Sequence, residues 1–295
     1  MNSTDNTAKQ TRNAARMGAS LAFPASLMVL VVMVLPILML FRYSFNHFDG
    51  AMMVEGWTLE GYTAFALDPY YRNVFFSTLG VAAACTTLAL TLGFPVAYFL
   101  AKSQSRYKSL FIILLVFPLM VGNVVRAAGW MIILGNAGFV NYAMQWLGLI
   151  DTPVQLMYTP LAVIIGTTAV VLPYMILTLQ SVLEGIDFSV EEAAQSLGAN
   201  AFTTFRRVVL PIAAPGVAAG TVLVFILCMN AYATPVLLGG SGITMMAPAL
   251  YDQITKAANW PFGATLAVVL VSATLVMALL SNWFIHRRYV KTMVA

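Results

Sequence analysis

The sequence predicts an all-α integral membrane protein with six transmembrane helices, and three observations predict it. Hydrophobic residues make up 60% of the chain and charged residues only 9%, against about a quarter charged in soluble domains. The apolar residues fall into uncharged runs of span length, and most basic residues sit in short clusters beside them. One longer polar stretch, residues 189–211 (SVEEAAQSLGANAFTTFRRVVLP), breaks this pattern with four ionised side chains, Glu191, Glu192, Arg206 and Arg207. At 295 residues, and about 20 per span, the chain has room for one membrane domain and little more.

Residues 1–16 are polar, carry Lys9, Arg12 and Arg16, and read as a cytoplasmic tail. Residues 17–41 hold no charge for 25 residues, too long for the apolar core of a cleaved leader, so they form the first span. The loop 42–72 contains Asp49, Glu55, Glu60 and Asp68 and reads as external. Residues 73–101 make the second span, and the turn 102–108, with three basic residues and no acid, is an internal signal. The third span is 109–125, with Pro118 inside it; neighbouring helices can satisfy the carbonyls that a membrane proline frees.

Residues 127–150 lack charge too, but Gly129, Gly135, Gly138 and Gly148 with Asn136, Asn141 and Gln145 make a poor lipid-facing helix. They are expected to form short helices at, or dipping into, the external face. Charge counting supports this: without a crossing here, eleven basic residues lie inside and four outside (Arg42, Arg72, Arg126 and Lys256), and with one the tally becomes seven to eight. The remaining spans are then 159–183, 211–238 and 262–285, with residues 287–295 as a cytoplasmic tail. The domain proper is 17–286. Trp57, Trp130, Trp146 and Trp260 fall near external boundaries and Trp283 near the internal one, as interfacial anchors do.

The net charge of +4 reads as orientation signal rather than nucleic-acid contact, because the basic residues flank apolar runs. Cys85 and Cys228 stand in apolar segments without a CxxC or a neighbouring His, and read as buried small residues. No GxxxxGK[ST] stretch occurs, so no phosphate-cradling loop of that type is present. No predicted span core holds Asp, Glu or Lys, which weighs against an ion-coupled carrier. His47 and His286 lie near span ends, and no nucleophile, base and orienter assemble into a catalytic set.

Within the polar stretch, Ser189 and Glu192 have capping-box spacing, which starts a helix at Val190. Gly198 stands at a left-handed stop, and Asn200 can cap a second helix from Ala201 towards Val209. The pattern Glu192-Ala193-Ala194, three residues, Gly198, nine residues, Val208-x-Leu210-Pro211 resembles the EAA loop of ABC importer permeases, with Val208 where the family often has Ile. Leu149-Ile150-Asp151-Thr152-Pro153, Ala162-Val163-Ile164-Ile165-Gly166, Leu172-Pro173-Tyr174 and Asn259-Trp260-Pro261-Phe262-Gly263 are similar to the spermidine/putrescine-type branch.

That resemblance implies the type I ABC importer (MetI-like) permease fold in a bacterial inner membrane, with both termini cytoplasmic. It implies an ATPase-docking set of Glu191, Glu192, Ala193, Ala194, Gly198, Leu210 and Pro211. Glu192 would meet the ATPase, or would only cap its own helix. The partners implied are two copies of a cytoplasmic ATP-binding subunit, a second, related permease chain, an extracytoplasmic solute-binding protein and membrane lipid. No cofactor is bound directly; ATP and magnesium belong to the ATPase subunit, so this chain is not itself an enzyme.

For the solute path the candidates are Asn230, Tyr232 and Thr234, which precede Pro235 at membrane depth beside an expected helix break, and Arg126. The first three either hydrogen-bond between helices or line a pathway. Arg126, near Asn123, could pair with Asp151, anchor to headgroups or meet the binding protein. The branch resemblance favours polyamines; opines, phosphonates and iron are the alternative cargoes. An ATP-independent carrier or channel, and a scaffold that carries no flux, are the rival functions.

Overall fold

The computed structural model describes residues 23–24 and 26–285. The expected terminal tails and His286 lie outside the described residues. Among the described residues, six helical stretches are long and apolar enough to cross a membrane: Ser26–Tyr43, Pro69–Lys102, Asn123–Trp146, Pro160–Glu184, Ala201–Met229 and Trp260–Ser281.

The first of these is α1 (Ser26–Tyr43), none of which is buried against the rest of the chain. A two-residue hairpin follows, β1 (His47–Phe48) on β2 (Met53–Val54), then α2 (Glu60–Leu67) and α3 (Pro69–Lys102). The α3 helix opens on an Asp68 cap, whose carboxylate accepts from the Tyr70 amide at 2.8 Å, with Pro69 at its first position. Its 34 residues rise about 51 Å, so it runs the full depth of the bundle.

The third crossing differs from expectation. Residues 109–125 do not form one helix: α4 (Lys108–Met120) stops after 13 residues and α5 (Asn123–Leu134) begins after a break at Val121 and Gly122. Alone, α4 rises about 20 Å, short of a hydrocarbon core of about 30 Å. Its start is fixed by Lys108 on Glu184 at 2.7 Å. The chain then ends up at the opposite end of the bundle, where Asn141 of α6 (Phe139–Trp146) donates to the Gly135 and Val154 carbonyls and accepts from the Val154 amide. The crossing is therefore made by α4 and α5 in series. The expected short helices within 127–150 are found as the rest of α5 and α6, divided at Gly135–Gly138.

The core is built on α3 and α7 (Pro160–Glu184), with α10 (Leu210–Met229) and α12 (Trp260–Ile285) packed beside them. Contact between α7 and α10 depends on Gly216 and Gly220, one turn apart. A Cβ on Gly216 would stand 2.2 Å from Val182 Cγ1, and one on Gly220 3.3 Å from Thr178 Cγ2. Small residues at this spacing let membrane helices approach closely. Cys85 and Cys228 are buried and unbridged, as expected.

After α10 the fifth span does not continue to Leu238. It breaks at residues 230–232, resumes as helix at Ala233, passes into a π-helical turn at Pro235–Gly239, and leads to α11 (Met246–Thr255), which packs on α12. The Met246 amide donates to buried Thr78 Oγ1 of α3 at 2.8 Å.

Candidate functional site

The polar stretch folds as α8 (Ser189–Ser196), a corner, α9 (Ala201–Thr204) and a π-helical turn (Phe205–Val209) that runs into α10 without interruption. The expected capping box is not formed. Phe188 occupies the cap position without a side-chain bond, and the Ser189 amide donates instead to Asp187 Oδ1 at 2.9 Å. Those backbone and side-chain hydrogen bonds from Ser189 hold the Asp187 carboxyl below its ordinary value. The corner is as read: Gly198 has φ +90°, and the amides of Gly198 and Ala199 donate to the Gln195 and Ala194 carbonyls. Asn200 Oδ1 accepts from the Thr203 amide at 2.8 Å, the expected cap of α9.

The two acids of α8 part company. Glu192, Ala193 and Gly198 are exposed, as are Leu197 and Phe202 at 90% and 71% exposure, and Ala194 is half-buried. Glu191, expected on this docking face, turns the other way and is 5% exposed. Its carboxylate accepts from Tyr98 Oη at 2.7 Å, Lys102 Nζ at 2.9 Å and Gln195 Nε2 at 3.1 Å. Burial pushes this carboxyl up, but the hydrogen bonds from Tyr98 and Lys102 outweigh it and hold the group below its ordinary value. Leu210 and Pro211 lie in the continuous helix, Leu210 packed on the core and Pro211 exposed.

Tyr98 is the centre of this contact. The rings of Phe188 before α8 and Phe205 after α9 both meet its ring edge-on at 6.1 Å, and Phe205 also meets Phe94 at 5.3 Å. The basic turn 102–108 thus has a use beyond orientation, because Lys102 and Lys108 pair with Glu191 and Glu184, acids on either side of the loop's entry.

The second feature is a cavity of about 440 Å³ between α5, α7 and the broken end of α10. It lies where two helices are interrupted, and it is lined by Asn123, Thr167, Tyr174, Asn230, Tyr232 and Thr234 among apolar neighbours. Irregular backbone at membrane depth is tolerated where it lines a cavity. The residues read from sequence as path candidates, Asn230, Tyr232 and Thr234, are brought together here. Asn230 Nδ2 donates to the Ile226 carbonyl at 2.9 Å, and the Tyr232 ring lies 5.0 Å from that of Tyr251. Arg126 does not line the cavity; it donates to Asn123 Oδ1, which does, and no pairing with Asp151 is found among the described residues. Sequence reasoning missed Thr167, buried with its hydroxyl unpartnered among the described residues. The signal was present, since Thr167 and Thr168 are adjacent polar residues in mid-span.

This architecture matches known proteins. Residues 86–288 match the family model described as binding-protein-dependent transport system inner membrane component. The chain belongs to that family of ABC importer permeases. The permease is 38% identical to the spermidine/putrescine transport system permease protein PotB of Escherichia coli (strain K12), over 83% of this chain and 88% of that one. It is 34% identical to PotB of Haemophilus influenzae, covering 83% and 85% of the two chains. A chain of a bacterial ABC transporter that imports alginate shares its fold with TM-score 0.74, at 17% identity over 96% of this chain and 99% of that one. A chain of the MetNI methionine ABC transporter aligns with TM-score 0.54 at 19% identity, over 73% of this chain and 94% of that one. As an importer permease it is a multi-pass inner membrane protein that works with ATP-binding subunits and a periplasmic binding protein, and is not itself an enzyme.

Proposed function

We propose that this permease imports a polyamine of the spermidine/putrescine class, or a closely related small organic solute, as one half of a transmembrane pair. The observation that carries this reading is the 38% identity to PotB over most of both chains. The second half is a related but different permease chain, and two ATPase subunits supply hydrolysis with ATP and magnesium. The polar loop is the coupling element and faces the cytoplasm, as do both termini. Eleven of fifteen basic residues then lie on that side. Supporting the docking role, Leu197 and Phe202 are exposed apolar side chains on a polar loop.

The cavity at the two helix breaks is the solute path. Its amide and hydroxyl oxygens can accept from ammonium groups, and Tyr174 and Tyr232 put aromatic rings, which attract cations, in its lining. Among the described residues no acid lines it, so the charge-neutralising acids come from the partner permease or the binding protein. The test is uptake by proteoliposomes holding both permease chains, the ATPase and the binding protein. Labelled spermidine or putrescine should enter only with ATP and binding protein present. Uptake without ATP would replace the importer reading with a carrier, and uptake only of an opine, phosphonate or iron would replace the cargo.

A further inference from the structure

The buried carboxylate of Glu191 has no part in a docking face, yet it lies on the docking helix. A buried acid is retained only where partners satisfy it, and two of its three partners belong to α3, 89 and 93 residues away in sequence. Lys102 is the last residue of α3 and Tyr98 lies one turn before it. The aromatic rings at the two ends of α8 and α9, Phe188 and Phe205, close on the same tyrosine. The loop is therefore joined to a span that is not its sequence neighbour. That span runs unbroken from Lys102 back to Thr78, about 36 Å away by helical rise, where its hydroxyl holds the Met246 amide at the start of α11.

We propose that Glu191 is a positioning residue that latches the coupling helix to α3, so that movement imposed on α8 by the ATPase is delivered through α3 to α11 at the far end of the bundle. This rests on the importer reading above. Glu192 and Leu197, on the exposed face, meet the ATPase; Glu191 sets what the helix pulls on.

The test uses the assembled complex in proteoliposomes and measures three quantities: ATPase-subunit binding, ATP hydrolysis, and solute imported per ATP. Glu191→Gln should leave subunit binding in place and hydrolysis running, while solute per ATP falls about threefold to tenfold, the scale on which residues along a coupling route act. Exchanging the pair, Glu191→Lys with Lys102→Glu, should restore part of that ratio. If Glu191→Gln fails to assemble, Lys102→Met is read instead, because Lys102 is half exposed, and the same fall in ratio is expected. Weakened subunit binding, with an unchanged ratio in the complexes that form, would make Glu191 a docking residue and overturn the latch. An unchanged ratio in every variant would overturn it too. A wild-type complex without ATP-dependent uptake would instead sink the importer reading.

Discussion

Lys102 Nζ and Glu191 Oε1 stand 2.9 Å apart and join the last residue of α3 to the first turn of α8. The Glu191 carboxyl is held below its ordinary value by this contact and by Tyr98, against the opposing effect of burial. A depressed acid stabilises the fold above its unfolded pKa, and that contribution is lost as pH falls through the folded one. Hydrogen exchange at the α8 amides, corrected for the intrinsic pH dependence, should therefore be constant across neutral pH and rise below about pH 4. In Glu191→Gln the acid-dependent rise should shrink to the part contributed by Asp187, whose depressed carboxyl holds the Ser189 amide.

The exposed face of α8 and α9 should behave as an interface. Leu197→Asp is expected to weaken binding of the ATPase subunit by about tenfold or more, as loss of an apolar anchor does. Co-purification in detergent reads this, and thermal stability of the permease alone should not change, because Leu197 is 90% exposed.

At the corner, Gly198 has φ +90° and nothing within 4 Å of an added Cβ. Gly198→Ala meets only backbone strain, about 1 to 2 kcal/mol, and should slow uptake mildly. Gly198→Pro demands φ near −65°, and should abolish stimulation of the ATPase by loaded binding protein while leaving membrane insertion intact.

Between α7 and α10 the cost is steric. Gly216→Val drives new atoms into Val182 and should destabilise by about 1 to 3 kcal/mol, seen as a lower unfolding temperature in detergent. Gly80→Ala is the control, since an added Cβ there meets nothing within 4 Å.

In the cavity, Asn230→Ala, Thr167→Val and Tyr232→Ala should each cut uptake by about twofold to tenfold, the scale of one lost hydrogen bond. Coupled ATP hydrolysis should fall with it. Unchanged rate and solute preference in all three would remove the cavity from the path.

Much of this was legible in the chain. Span length and charge asymmetry place the α3, α7 and α12 spans within a few residues, because lipid demands long uncharged helices and nothing else offers that composition. The glycine corner and the Asn200 cap were readable since each acts within four residues. Most of what failed was non-local. Nothing near Glu191 in sequence distinguishes it from Glu192; only α3, folded alongside, selects which acid is buried. The span at 109–125 was read as continuous because its hydropathy is continuous, and within 211–238 a break was expected only beside Pro235; the breaks at Gly122 and Asn230 together make a cavity that only the assembled bundle encloses. The capping box gave way to Asp187, a shorter acid two residues earlier that reaches the same amide.

The glycine contact between α7 and α10 bears on the loop that joins them. With Val182 seated over Gly216, both stems of the loop are clamped a few residues from where it begins and ends. A pull on the loop is therefore resisted at both stems together, and the loop is a handle on a hairpin whose two arms move as one.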